Sequence, residues 1–142
     1  MGYLPDGMPL PAIETDSAGF WEAAKRHELV AQRCTDCGAF RHPPMPVCYN
    51  CQSLNFEWAK VSGKGKVWNR IIAHHPVHPA LRDREPYNVV LVDLDDAPGV
   101  RMVGNLIDCP NEEVKVGMPV KVCFEDKTED ITLPQWQRDD KA

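Results

Sequence analysis

The stretch CTDCGAFRHPPMPVCYNC, residues 34–51, decides the fold of this chain. It opens and closes with a Cys-x-x-Cys pair, and ten residues separate the two pairs. Each tight Cys-x-x-Cys turn directs two sulfurs toward one point, so two such turns supply four thiolates in the tetrahedral arrangement that Zn²⁺ prefers. The predicted metal ligands are Cys34, Cys37, Cys48 and Cys51.

This pattern predicts a structural zinc site of the zinc-ribbon kind. The spacer is shorter than the roughly fifteen to twenty residues of the commonest four-cysteine pattern, yet it suffices for two turns joined by a short loop. Four cysteine ligands leave no open coordination position, so the metal would stabilise the fold rather than activate water. Two disulfides are the alternative interpretation. A redox-active pair is less favoured, because two pairs this close together form one metal cage.

The length and composition indicate a small protein of one or two domains. The chain has 142 residues, and its six cysteines without an apolar N-terminal run favour the reducing cytoplasm over secretion. No segment approaches the roughly twenty consecutive apolar residues that a membrane span needs. We therefore expect a cytoplasmic protein that does not attach to membranes.

The net charge of −5 is unevenly distributed. Residues 71–142 carry fourteen acidic and eight basic side chains, whereas no acidic residue lies between Trp58 and Arg82. Four basic side chains fall in that interval and form a basic strip: Lys60, Lys64, Lys66 and Arg70. Such a strip suits a small phosphorylated ligand, and the glycines of the Gly63–Gly65 turn would let a phosphate approach closely. The alternative interpretation is a solvated strand edge, and extended duplex binding would need a broader basic face.

The rest of the sequence predicts a mainly β protein with one short helix. Residues 1–16, with three prolines, are expected to form an extended arm that is either mobile or laid along a partner. Residues 17–54 contain the helix FWEAAKRHE and the zinc ribbon, and residues 55–126 contain five short strands separated by Gly-bearing turns. Five short strands with almost no helix are typical of the OB-fold, a small barrel. Residues 127–142 are expected to be a polar C-terminal tail.

Three aromatic side chains of the flanking segments need a surface that covers them. Phe20 and Trp21 lie in a helix too short to be stable alone, so either the chain's own domain or a partner subunit must bury them. We expect them to help form a partner interface. Trp136 is isolated in the predicted tail and is expected to anchor that segment.

The order of these parts resembles the DUF35 family, which combines a zinc ribbon with an OB-fold. The resemblance spans roughly residues 17–126. The segments that carry it are FWEAA (20–24), QRCTDCG (32–38), PPMPVCYNC (43–51), GKGKVW (63–68), PYNVVLVDLDD (86–96) and VGMPVKVCFE (116–125).

The resemblance implies an accessory role. DUF35 proteins are similar to subunits that pair with thiolase-superfamily enzymes, in which the partner carries the catalytic groups. A thiolase or retro-aldolase subunit is therefore the expected partner in a hetero-oligomer that acts on acyl-CoA thioesters. The basic strip would help to hold the CoA nucleotide at the shared site. The alternative function is a single-stranded nucleic-acid-binding module, because Phe56, Trp58 and Trp68 lie near the strip, although the acidic composition disfavours it.

No catalytic residue is predicted in this chain. Cys109 and Cys123 lie outside the ribbon and are interpreted as free thiols. His74, His75 and His78 occur together in the segment HHPVH. Adjacent residues on a strand face opposite sides, so the first two histidines are not expected to chelate one metal ion together.

Overall fold

The computed structural model describes residues 2–141 and confirms a mainly β fold. Within that range, a helix α1 (Ala18–Lys25) precedes eight strands. The strands are β1 (Val30–Cys34), β2 (Phe40–Arg41), β3 (Phe56–Lys60), β4 (Lys64–Ala73), β5 (Tyr87–Leu94), β6 (Arg101–Gly104), β7 (Pro119–Asp126) and β8 (Thr132–Arg138). Among residues 2–141 there is no helix with the length and apolar character needed to span a membrane.

The first sheet belongs to the ribbon and has the strand order β2-β1-β3. β1 pairs antiparallel with β3 over five residues, from Val30 opposite Lys60 to Cys34 opposite Phe56. This pairing places β3 in the ribbon sheet, whereas the sequence pattern had assigned all of residues 55–126 to the barrel. The difference arises because an isolated strand sequence does not specify which neighbour it pairs with.

The second sheet is five-stranded, with the order β6-β5-β4-β7-β8, and confirms the OB-fold. The long strand β4 pairs with both β5 and β7, and a β-bulge between Val67 and Asn69 bends it. The sheet curls until its edges meet at one parallel bridge between Leu106 and Trp136. Two backbone hydrogen bonds hold this bridge: Trp136 N–H donates to the carbonyl of Asn105 at 3.0 Å, and Ile107 N–H donates to the carbonyl of Trp136 at 2.9 Å.

The fifth strand of the barrel, β8, lies inside the segment that was expected to be a polar tail. That expectation is wrong for residues 132–138, all of which pair with residues of β7. Thr132 and Gln135 are buried polar residues, so no alternation of apolar side chains marks the strand in the sequence. Both are hydrogen-bonded: Thr132 Oγ1 donates to Asp126 Oδ1 at 2.7 Å, and Gln135 Oε1 accepts from Asn105 N–H at 2.7 Å.

Helix α1 packs against the ribbon sheet and the barrel. Phe20 is 8% exposed and lies in the chain's own core, with the Trp21 ring edge-on to it at a centroid distance of 5.1 Å. A Cβ at Gly19 would overlap the Trp58 indole, so the helix approaches β3 this closely only with glycine. Phe20 is therefore covered largely by its own chain, and the partner interface at Phe20 and Trp21 stays a prediction. Trp21 stays half-buried at the edge of the helix.

The N-terminal segment lies along its own barrel. The Tyr3 hydroxyl accepts hydrogen bonds from the backbone N–H and the side-chain amide of Asn88, at 3.0 and 2.8 Å. The Tyr3 backbone N–H donates to Glu125 Oε1 at 2.9 Å, and the Arg84 guanidinium lies 4.8 Å from the Tyr3 ring centroid. Because Asn88 is fully buried, its amide needs such partners, which explains why the arm is attached here.

We expect Trp136→Ala to destabilise the protein far more than Trp68→Ala. Trp136 is 1% exposed, and the variant would leave a cavity where the barrel closes, at a cost of about 3–5 kcal/mol. Trp68 is 46% exposed on the outside of the sheet, where truncation costs about 1 kcal/mol or less. Urea unfolding of both variants measures the difference. Equal losses of stability would contradict this account of the core.

Candidate metal centre and adjoining groove

The two cysteine turns have the same backbone geometry. In the first, the N–H of Gly38 donates to the carbonyl of Cys34 at 2.9 Å; in the second, the N–H of Gln52 donates to the carbonyl of Cys48 at 3.0 Å. The donor residue has a left-handed backbone in both turns, with φ of 78° at Gly38 and 62° at Gln52. Glycine adopts this conformation freely, whereas for glutamine it costs about 1–2 kcal/mol. The second turn therefore needs support from the rest of the site.

The four cysteine sulfurs form one compact cluster. All four Sγ atoms lie within 4.8 Å of one another, and the Cys34–Cys51 and Cys37–Cys48 pairs are each 3.6 Å apart. A disulfide would require about 2.05 Å. Sulfurs at about 2.3 Å from a tetrahedral zinc ion are about 3.8 Å apart, close to the observed separation. The geometry thus favours the metal site over the disulfide alternative, and the residues present fit a metal ion.

Hydrogen bonding around the cluster shifts the thiol pKa values in both directions. The backbone N–H of Cys37 lowers the pKa of Cys34, and a hydrogen bond from the Asn50 side chain lowers the pKa of Cys37 to about 6. At Cys51 the Ser53 backbone N–H favours the thiolate. Desolvation and the three neighbouring cysteines outweigh it and raise the pKa of Cys51 to about 12. Four adjacent thiolates therefore require a cation among them, which a bound metal supplies.

Side chains beyond the ligands join the two turns. The Asp36 carboxylate accepts hydrogen bonds from Ser53 Oγ and from Asn55 Nδ2, the latter at 3.1 Å. These two donors, the Ser53 hydroxyl first, lower the pKa of Asp36. Since Asp36 lies within the first turn and both donors follow the second, these bonds hold the turns together and orient the sulfurs.

Two members of the predicted basic strip neutralise carboxylates of this chain. Lys60 Nζ lies 3.7 Å from Glu28 Oε1, and Lys64 Nζ lies 3.6 Å from Oδ2 of Asp139, whose side chain is only 4% exposed. The other two members, Lys66 and Arg70, are exposed on β4. Asp93 is the cross-strand neighbour of Lys66, but no carboxylate of residues 2–141 lies within 4.0 Å of either cation. The strip is thus divided between paired and unpaired cations.

The glycines beside this strip are explained by packing inside the chain. A Cβ at Gly63 would overlap the Val122 side chain, and a Cβ at Gly65 would overlap the backbone carbonyl of Asp93. Both missing side chains therefore face the barrel, so they do not open a path for a phosphate as the sequence had indicated.

The remaining candidate residues do not form a reactive cluster. His78 Nδ1 accepts a hydrogen bond from the backbone N–H of Ala80 at 3.2 Å and caps a short 3₁₀ turn, while His74 and His75 are exposed. Burial raises the pKa of the Cys109 thiol and raises the pKa of Cys123 to about 11. Both cysteines are thus protonated thiols at neutral pH.

A groove of about 450 Å³ adjoins the ribbon where β6 and β8 separate. Beyond the bridge between Leu106 and Trp136 the two strands diverge, and residues 102–105 and 133–136 line the gap. The ribbon loop contributes residues 42–44, and α1 and the N-terminal segment close the other sides. Sequence patterns did not predict this groove, because its walls come from segments that are distant along the chain.

His42 forms part of this wall as a neutral side chain. Its ring centroid lies 5.2 Å from that of Phe20, and burial lowers the pKa of His42 to about 4. At neutral pH the imidazole therefore carries no charge. The groove is lined mainly by aliphatic, aromatic and proline side chains.

The zinc ribbon and the OB-fold define the class of the protein, and two family models match these parts. The family described as "ChsH2, rubredoxin-like zinc ribbon domain" covers residues 21–57, and "ChsH2, C-terminal OB-fold domain" covers residues 58–125. A "DUF35 domain-containing scaffold protein" of Methanocaldococcus jannaschii is 36% identical over 78% of this chain and 77% of its own length. The chain belongs to the DUF35 family.

A solved structure is named as an aldolase, and two further relatives are named as CoA hydratase subunits. The solved structure described as "Ltp2-ChsH2(DUF35) aldolase" superposes with a TM-score of 0.81 and 40% identity, covering 91% of this chain and 98% of that chain. A "Probable enoyl-CoA hydratase alpha subunit" of Thermomonospora curvata is 42% identical over 89% of this chain. A "3-oxo-4,17-pregnadiene-20-carboxyl-CoA hydratase alpha subunit" of Mycobacterium tuberculosis is 36% identical over 96% of this chain. The chain spans only 38% and 42% of the length of these two hydratase subunits.

We expect the purified, reduced protein to contain one zinc ion per chain. Replacing any of the four ligands, for example Cys34→Ser, should remove most of the metal and unfold the ribbon, because the binding free energy of a structural zinc is folding free energy. Elemental analysis and the amide NMR spectrum measure both effects. Cys123→Ser is the control and should keep its full zinc content. A zinc-free wild-type protein, or a Cys34→Ser variant with one equivalent of zinc, would contradict the assignment.

His42 should make stability pH-dependent below neutrality. Its folded pKa of about 4 lies below the ordinary value of 6.5, so the unfolded chain takes up the proton first as the pH falls. Wild-type stability should therefore decrease from about pH 6.5 toward pH 4, by at most about 1.4 kcal/mol per pH unit. Unfolding curves of His42→Leu should lack this component, and those of the exposed-site control His75→Leu should retain it. An unchanged pH dependence in His42→Leu would refute the buried, neutral state.

Proposed function

We propose that this chain is a zinc-stabilised accessory subunit, without catalytic activity of its own, in an enzyme complex that acts on acyl-CoA thioesters. The observation that carries the proposal is the closed set of four sulfur ligands, which offers a metal ion no position for substrate or water. The raised pKa values of Cys109 and Cys123 also support it, since a nucleophilic cysteine needs the opposite shift.

The proposed partner is a thiolase-superfamily subunit. Support comes from the neighbour named as an aldolase, whose chain is matched over 98% of its length. The relatives named as hydratase subunits give weaker support for a hydratase partner, because this chain matches only about two fifths of each. In the proposed complex the partner supplies the reacting groups, and the present chain completes the assembly and helps to hold the CoA part of the substrate.

Contact with CoA is assigned to the basic strip, and chiefly to Lys66 and Arg70. These two side chains are exposed on β4 and are free of intramolecular ion pairs within residues 2–141. Lys60 and Lys64 add positive potential but already neutralise carboxylates of the chain. A coenzyme with a 3′-phosphate and a diphosphate would be attracted to such a site.

Nucleic-acid binding has less support. Base stacking needs open aromatic faces along a basic groove. The Trp58 indole is covered by α1 at Gly19, and the Arg101 guanidinium occupies a face of Trp68 at 4.0 Å from the ring centroid. No continuous row of open rings lies beside the strip in the described chain.

Co-purification with the natural partner tests the proposed function. The affinity-tagged chain should retain a thiolase-superfamily subunit from cells of the source organism. The complex, but not the isolated chain, should turn over acyl-CoA thioesters. Turnover by the isolated chain, or a retained partner unrelated to acyl-CoA chemistry, would refute the proposal.

Charge reversal tests the assigned CoA contact. The double variant Lys66→Glu, Arg70→Glu should raise the acyl-CoA KM of the complex by roughly tenfold and leave kcat nearly unchanged, the behaviour expected when uniform binding is lost. Lys64 is left intact, because reversing it would strand the buried Asp139 carboxylate. Arg82→Glu, an exposed charge reversal away from β4, is the control. An unaltered KM would indicate that the strip is only a solvated strand edge. A loss of affinity for single-stranded DNA, without a change in KM, would favour the nucleic-acid alternative.

A further inference from the structure

Strand β6 has backbone hydrogen-bonding groups that no strand within residues 2–141 uses. Leu94 N–H donates to the carbonyl of Val100, and Asp95 N–H donates to the carbonyl of Lys64 on β4. In a β-strand the backbone N–H and C=O groups of successive residues face opposite neighbouring strands. These two bonds therefore establish which residues of β5, and which residues of its partner β6, direct their backbone groups toward each other. The backbone groups of Met102 and the other even-numbered residues of β6 therefore face β5, and those of the odd-numbered residues face away.

The outward edge of β6 is covered at only one end. Asn105 and Ile107 form backbone hydrogen bonds with Trp136 of β8, which closes the barrel there. The backbone N–H and C=O groups of Arg101 and Val103 also face outward, toward β8. At these two residues, however, β8 is too far from β6 to form hydrogen bonds with it. Among the described residues no backbone partner meets them. Sheet edges of this kind are templates for another strand.

The groove lies directly beside this free edge. Its walls include residues 102–105 on one side and residues 133–136 of β8 on the other. Pro134 lacks an N–H group, so the facing edge of β8 has one hydrogen-bond donor fewer than an ordinary strand. A chain that enters the gap would therefore pair with β6 rather than with β8. The groove also provides an apolar pocket for a side chain of that strand.

The charged and apolar side chains near the free edge of β6 indicate the chemistry of a strand that could pair with it. Arg101 is exposed at the start of β6 and stacks on Trp68. Its cross-strand neighbour is Asp93, but no carboxylate of residues 2–141 lies within 4.0 Å of its guanidinium. Val103 is 64% exposed and continues an apolar outer face with its cross-strand neighbour Leu91. A complementary segment has an apolar side chain at the groove and a carboxylate near Arg101.

We propose that an extended segment of the partner subunit, apolar at its centre and acidic at one end, adds to the free edge of β6 and inserts a side chain into the groove between β6 and β8. In this mode of recognition the main chain supplies hydrogen bonds and the pocket supplies specificity. The inference rests on the proposed function, because it places the docking surface for the partner of that complex.

Residue-resolved hydrogen exchange of the free chain and of the co-purified complex tests the inference directly. In the free chain the Val103 amide should exchange quickly, whereas the Met102 amide, bonded within the sheet, should exchange slowly. In the complex the Val103 amide should become protected by about a hundredfold or more. A complex in which Val103 still exchanges quickly overturns the docking site alone. Failure of any acyl-CoA enzyme to co-purify overturns both the site and the proposed function.

Paired substitutions provide a second measurement. Val103→Pro removes the outward N–H and should weaken partner binding by roughly tenfold or more, while Val103→Ala keeps that N–H and should weaken it less. Arg101→Glu should lower affinity in a salt-dependent manner, and Arg82→Glu should not. Melting curves establish that each variant is folded. Equal affinity for Val103→Pro and Val103→Ala, in folded proteins, would contradict strand addition.

Discussion

The contact of four cysteine sulfurs at one point is the constraint on which the rest of the structure depends. The two sulfurs of each close pair, Cys34–Cys51 and Cys37–Cys48, lie 3.6 Å apart. Hydrogen bonds lower the pKa values of Cys34 and Cys37, and four sulfurs this close become thiolates together only around a cation. The cluster fixes the ends of β1 and the entry to β3. β1 in turn supplies Val30 and Ala31 to a core that is continuous with the barrel, and Trp58 of β3 packs against that core. Loss of the metal would therefore affect α1 and the barrel as well as the ribbon.

The same closure supports the proposed accessory role. A metal surrounded by four sulfurs has no position for a reactant, and burial keeps the two remaining cysteines protonated. The features left for function are surfaces: two unpaired cations on β4, a free edge on β6, and an uncharged groove beside it. These surfaces are the basis of the proposed role, in which the chain positions a substrate and a partner.

Local patterns in the sequence predicted the parts whose geometry is local. The cysteine spacing predicted the metal cluster, and alternation at Val120 and Val122 predicted β7. β8 was missed because its buried Thr132 and Gln135 are polar and find their hydrogen-bond partners elsewhere in the chain. The surface that covers Phe20 could not be predicted either, because a helix sequence shows which residues are apolar but not which surface covers them.

The glycines and the groove show the same limit. A Gly-Lys-Gly turn beside basic residues is typical of a phosphate site, yet Gly63 and Gly65 are required by Val122 and Asp93 of the same chain. The groove depends on how far two strands diverge after their single bridge, which no spacing in the sequence encodes. Long-range packing thus decides which small residues serve a ligand and which serve the fold.

X-ray absorption at the zinc edge of the purified protein tests the central claim most directly. A closed structural site predicts a first coordination shell of four sulfurs at about 2.3 Å, unchanged when acyl-CoA is added. A shell that contains a nitrogen or oxygen ligand, or one that changes on addition of acyl-CoA, would show an open site. That result would contradict an accessory subunit whose metal only holds the fold.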